Sequence, residues 1–172
     1  TAIAVLKCMD GRINIPVATG TPIGILMPFR NLGGRFDLGW PHLGEVVTQY
    51  VMDRVHEGRQ VLFLVSYHYS KGDYQRGCAG FAYDQQAAFD HTQVIRQQMS
   101  TIFGAGHGTV YPLVCGFETD EDALVVHGAD GQILRVADLT DCDIETLRSQ
   151  LSALLPDMPS KMREDLLPLL VG

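Results

Sequence analysis

The sequence predicts an α/β layered domain with a mostly parallel central sheet, flanking helices and an added antiparallel hairpin. Three observations carry that expectation. Short apolar runs alternate with amphipathic helical stretches as far as Cys115, the order that parallel strands joined by crossover helices require. Residues 2–7 and 61–65 are continuous apolar runs, as suits strands covered on both faces. Further on, residues 123–126 and 133–136 flank Gly128-Ala129-Asp130-Gly131, a turn composition that fits a hairpin.

Residues 2–7 form the first expected strand. Residues 22–29 are a second apolar stretch, interrupted by Gly24 and Pro28, and Asn31-Leu32-Gly33-Gly34-Arg35 reads as a loop. Over residues 43–54, Leu43, Val46, Val47, Tyr50 and Val51 follow helical spacing, and Gly58 is placed to cap the helix end. Residues 61–65 are the strongest strand signal, followed by a long glycine-bearing loop through Gly80. A helix over 85–103 puts Ala88, Ile95, Met99 and Ile102 on one face; Asp84 caps its start and Gly104 and Gly106 end it. Residues 109–115 are another strand. After the hairpin, Ile144, Leu147, Leu151, Leu154 and Leu155 make an amphipathic helix capped by Asp141 or Asp143, and a second short helix follows from Met158. With no internal repeat, low-complexity tract or linker, residues 1–172 are expected to form one domain.

Composition narrows the function. A net charge of -7 argues against nucleic acid, whose phosphates need a basic face, and against an anionic membrane surface. No apolar run approaches the roughly 20 residues of a membrane span. No signal peptide is visible, although the chain starts at Thr1 without Met. The expected location is cytoplasmic. Four cysteines without a secretory context suit metal binding or packing better than a disulfide framework. Cys115, in an apolar run, is expected to be a small buried hydrophobe, and Cys142 to be structural.

Cys8 and the pair His68 and Cys78 stand out. Cys8 lies in Cys8-Met9-Asp10-Gly11-Arg12, just past the first strand; His68 and Cys78 follow the strongest strand. In open parallel sheets, sites gather at the carboxyl ends of strands, which gives the two halves a reason to meet. Two thiolates and one imidazole are one ligand fewer than a closed structural zinc site uses, leaving a position for water. Asp10 can orient that water, and Arg12, two residues on, can clamp the carboxylate. Metal-bound hydroxide held this way is a nucleophile for a small electrophilic carbon. Taken alone, each half is weak: Cys-x-Asp-x-Arg occurs in chance loops, and metal-ligand pairs more often sit about two to five residues apart. A thiol redox protein is disfavoured, since no Cys-x-x-Cys spacing is present.

The run Cys8-Met9-Asp10-Gly11-Arg12 resembles the Cys-x-Asp-x-Arg motif of β-type carbonic anhydrases. Tyr67-His68-Tyr69-Ser70 through Gly77-Cys78-Ala79-Gly80 resembles the second metal motif of the carboxysome shell carbonic anhydrases, since ordinary β-type enzymes place that His and Cys much closer together. Thr119-Asp120-Glu121-Asp122 leading into Val125-Val126-His127 is similar to a third run of the shell enzymes. The cadmium carbonic anhydrases, with a similar Cys-x-Asp-Gly-Arg motif and long His-to-Cys spacing, are the nearest competing family. Asn31-Leu32-Gly33-Gly34 after Arg30 also resembles a β-type segment.

The resemblance implies a β-carbonic-anhydrase-like fold and reversible hydration of CO2 to bicarbonate and a proton. It implies Cys8, His68 and Cys78 as ligands of Zn2+ (Cd2+ and Co2+ suit the same donors) and Asp10 and Arg12 as the catalytic dyad. The alternative is a non-catalytic metal-binding scaffold. Shell enzymes are longer and carry a second, degenerate copy of the catalytic unit, so a homodimer or higher homo-oligomer is expected here, and carboxysome association stays open. Met27, Phe29 and Phe36 are candidates for an apolar wall beside the metal. Nothing selects a proton shuttle among His42, His56, His91, His107 and His127. Thr119, Asp120 and Asp122 read as a polar turn entering a strand rather than an ion site, and Asp73 as an acceptor supporting the His68 loop.

Overall fold

The computed structural model describes residues 1–139 and 141–171. Thr140 and Gly172, which the single-domain expectation includes, lie outside the described residues. The strands are β1 (Ala2–Cys8), β2 (Leu26–Asn31), β3 (Val61–Tyr69), β4 (Val110–Glu118), β5 (Ala123–His127) and β6 (Ile133–Arg135). The α-helices are α1 (Ile15–Ala18), α2 (Pro41–His56), α3 (Gln85–Phe103), α4 (Ile144–Leu154) and α5 (Ser160–Val171). The strands form one sheet in the order β2-β1-β3-β4-β5-β6. The first four run parallel; β5 and β6 add antiparallel. The expected mostly parallel sheet with a hairpin at its edge is what forms.

Burial on both faces explains the continuous apolar runs of β1, β3 and β4. On one side, Ala4, Leu6, Phe63 and Val65 pack with Val47 and Val51 of α2 and Ile95 and Met99 of α3. On the other, Ile3, Val5, Leu62, Leu64 and Leu113 pack with Leu147 and Leu151 of α4 and Leu166 and Leu170 of α5. Helix α3 matches its expected span. Asp84 caps it through the Ala87 N–H, and Asp143 caps α4 through the Thr146 N–H. Asp141, the other candidate cap, instead adopts φ 66°. Cys115 is fully buried as expected, and Cys142 packs at the rim of the same core.

Several bounds differ for physical reasons. β3 runs on to Tyr69 because Ser66–Tyr69 stay in register with Cys115–Glu118 of β4. His68 therefore sits within a paired strand rather than just beyond one. β2 starts at Leu26; the apolar residues before it form a turn closed by the Ile25 N–H on the Pro22 carbonyl. Pro28 is tolerated because β2 pairs only with β1 and has a free edge. The four-residue α1, with Pro16 in its first turn, is too short to show periodicity. No helix of the described residues is long and apolar enough to cross a membrane.

Candidate metal centre

Cys8 is the last residue of β1 and pairs in register with Asn31, the last of β2. The chain then turns through Leu32-Gly33-Gly34, kinked at Gly33, which takes φ +76°, a conformation open to glycine at little cost. That turn aims the Gly33 N–H at Cys8 Sγ, 3.2 Å away. His68 projects from β3, whose Ser66 hydroxyl donates to the Leu6 carbonyl at 2.9 Å and ties β3 to the end of β1. Cys78 comes from the loop after β3, and its carbonyl accepts the N–H groups of Phe81 and Tyr83.

One ligand-type atom each from Cys8, His68 and Cys78 lie within 4.8 Å of one another, and all three side chains are buried. The fold thus brings together residues 60 and 70 positions from Cys8. Neither ring nitrogen of His68 has a hydrogen-bond partner, and a buried polar atom left unpaired costs about 1–3 kcal/mol. Contact with Cys78, then with His68 and the Asp10 and Gly33 N–H groups, pulls the Cys8 thiol down to about 4 against the opposing effect of burial. The Cys78 thiol is pushed far up by the neighbouring Cys8 and by burial. A thiol binds a metal as the thiolate, so metal binding releases its proton. An orphaned imidazole beside two buried thiols is a donor set that fits a borderline-soft divalent ion.

Asp10 and Arg12 form the expected pair. Both the backbone N–H and Nε of Arg12 donate to Asp10 Oδ1, at 2.9 and 3.1 Å, and Nη2 donates to Oδ2 at 2.6 Å. That guanidinium holds the Asp10 carboxyl down at about 2. The turn carrying them closes through the Ile13 N–H on the Asp10 carbonyl. Its far end is fastened by the buried ammonium of Lys7, which donates to the Ile13 carbonyl. In the sequence, Lys7 looked only like the end of an apolar run.

The remaining expectations fare unevenly. Asp73 acts as an acceptor within the His68 loop, where it caps a turn through the Gln75 N–H, and makes no hydrogen bond to His68 itself. Phe36 is buried and Phe29 half-buried against the α2 side of the core, while Met27 is exposed on β2. None of the three lines the small cavity that touches the cluster. That cavity, about 40 Å3, reaches His68 and Cys78 between Tyr69, Tyr74, Tyr83 and Gln85; it has room for a water-sized guest. His91, His107 and His127 bond to Phe36 O, Ser100 Oγ and Tyr67 Oη, and His42 and His56 lie exposed on α2.

Residues 44–151 match the family model described as the carboxysome shell carbonic anhydrase catalytic domain. The chain belongs to that family. The matched residues include His68 and Cys78, while Cys8, Asp10 and Arg12 precede them. A carboxysome shell carbonic anhydrase of Hydrogenovibrio crunogenus is 32% identical over 158 residues, covering 77% of this chain but 28% of that protein. The chain therefore spans well under a third of this relative's length. Among solved structures, a tetrameric β-carbonic anhydrase of Sordaria macrospora matches with a TM-score of 0.48 at 13% identity, covering 78% of this chain and 79% of that one. A carbonic anhydrase of Streptococcus mutans matches with a TM-score of 0.41 at 14% identity, covering 78% and 81%.

Proposed function

We propose that this chain catalyses the reversible hydration of CO2 to bicarbonate and a proton. One zinc ion would be held by Cys8, His68 and Cys78, with Asp10 and Arg12 as the catalytic dyad. The observation that carries this reading is the convergence of three buried donor atoms within 4.8 Å, two residues from a carboxylate gripped by a guanidinium. Membership of the family supports it. When bound, the ion supplies Lewis-acid activation of a water. Asp10, ionised throughout the neutral range, accepts a hydrogen bond and fixes that water's orientation. So acidic a carboxyl is a poor base near pH 7, so its part is positioning rather than carrying the proton away. Arg12 keeps the carboxylate charged, aimed and unable to swing toward the ligands.

Zn2+ is the proposed ion; Cd2+ and Co2+ suit the same donors. A homodimer or higher homo-oligomer is part of the reading. Its support is the exposed set Val17, Ile23, Ile25 and Met27 around a groove of about 1100 Å3 beside the unpaired edge of β2, an apolar surface that solvent disfavours. A cytoplasmic location completes the proposal, the support for carboxysome association being the descriptions of the family model and of the relative.

Stopped-flow CO2 hydration, with zinc content measured on the same sample, tests the activity. The expected result is hydration well above buffer that Cys8→Ser abolishes. Zinc bound without turnover at any pH would mean a metal-binding scaffold instead.

A further inference from the structure

The ten-residue step from His68 to Cys78 poses a physical problem. A ligand on a long surface loop must still be held still, and a loop that moves costs affinity. The solution lies beside it, in the turn that leaves the neighbouring strand β4 for β5. There Asp120, an exposed residue, is drawn onto the loop by all of its hydrogen bonds. Its Oδ2 accepts the Lys71 N–H at 2.6 Å and the Gly72 N–H at 3.2 Å. The Ser70 hydroxyl lies 2.9 and 3.0 Å from its two oxygens.

The contact propagates toward Cys78. Ser70 Oγ accepts the Asp73 N–H at 3.1 Å. Asp73 accepts the Gln75 N–H with its side chain and the Arg76 N–H with its carbonyl. The Gly77 N–H closes on the Tyr74 carbonyl, immediately before Cys78. Next to Asp120, Thr119 donates both its N–H and its hydroxyl to the Tyr69 carbonyl. The loop thus leaves β3 already fastened.

We propose that Asp120 is a positioning residue for the metal centre: as a carboxylate clasp on residues 70–72 it holds the loop that presents Cys78 to the cluster. This rests on the reading of Cys78 as a metal ligand. Charge matters, because one ionised oxygen serves two N–H donors and charge-assisted bonds are the stronger kind. Global stability matters less. Asp120 is exposed, and water can take over the freed N–H groups, so its loss loosens the loop rather than unfolding the chain.

The test compares the wild type with Asp120→Ala, Asp120→Asn and Ser70→Ala. In metal-free protein, iodoacetamide labelling of each cysteine is followed by peptide mass spectrometry, with fully buried Cys115 as the reporter of global opening. In zinc-loaded protein, the rate of zinc loss to a chromogenic chelator is measured. The expected result for Asp120→Ala is Cys78 labelling raised about tenfold relative to Cys115, and zinc loss faster by roughly 10- to 100-fold, the usual weight of a residue that orients a ligand. Asp120→Asn, which keeps an acceptor without the charge, and Ser70→Ala fall in between. Unchanged Cys78 labelling, or an equal rise at Cys78 and Cys115, overturns the proposal. If the wild type binds no zinc, the metal reading fails, and the labelling arm alone decides whether Asp120 holds the loop.

Discussion

Gly80 and Gly33 meet backbone to backbone: a Cβ on Gly80 would lie 2.5 Å from Gly33 Cα and 2.8 Å from its nitrogen. That same Gly33 N–H donates to Cys8 Sγ. The loop bearing Cys78 and the turn behind Cys8 are thus pressed together at a point where no side chain fits. Gly80→Ala should force the two halves apart and weaken zinc binding by roughly 10- to 100-fold, the range for residues that position ligands. Gly106→Ala, where nothing lies within 4 Å, should leave it unchanged. Competition titration against a chelator of known affinity measures both.

Arg12→Ala frees Asp10 to rotate and removes the charge that holds its carboxyl at about 2. Zinc stoichiometry should stay near wild type while CO2 hydration falls by about 100-fold, the scale of a reacting group misplaced by an ångström. Stopped-flow rates set against metal content separate the two effects. A parallel loss of zinc and rate would mean that Arg12 supports the ligands rather than Asp10.

Burial pushes the His127 pKa below its ordinary value, and Tyr67 Oη sits 2.8 Å from its Nε2. Because the folded pKa is depressed, the unfolded chain takes up this proton first as pH falls. Stability is therefore fully present above about 6.5, declines as pH drops toward the folded value, and is level below it. Tyr67→Phe removes a hydrogen bond available to the neutral ring, so the His127 pKa should rise. An NMR titration of the imidazole reads this directly; a pKa that stays put or falls would show that the hydroxyl does not favour the neutral form.

Leu151 of α4 is completely buried against the sheet face opposite α2 and α3. Leu151→Ala should cost about 2–5 kcal/mol, the range for a truncated core leucine. Urea denaturation should show a lower midpoint with an unchanged slope.

Much of this was legible in the sequence wherever the signal was local. The span of α3 follows from its apolar period between Asp84 and Gly104. Cys8, Asp10 and Arg12 lie in one contiguous run, which is weak by itself and gains weight only beside His68 and Cys78. β3 was underestimated because Ser66–Tyr69 mix polar and aromatic residues, and only their register with β4 extends the strand. Asp73 supports the His68 loop locally, through the Gln75 N–H. Asp120 does the holding from 49 residues beyond Lys71, a distance that no spacing rule covers. Lys7 escaped notice because its partner, the Ile13 carbonyl, is a backbone atom placed by a turn.

The claim that the two halves build one metal centre is tested most directly by zinc X-ray absorption on the reconstituted chain. The expected spectrum contains two sulfurs at about 2.3 Å and one imidazole nitrogen at about 2.0–2.1 Å, with a light-atom fourth ligand, and drops to one sulfur in Cys78→Ser. A sphere without sulfur, or one unchanged by Cys78→Ser, would contradict the account.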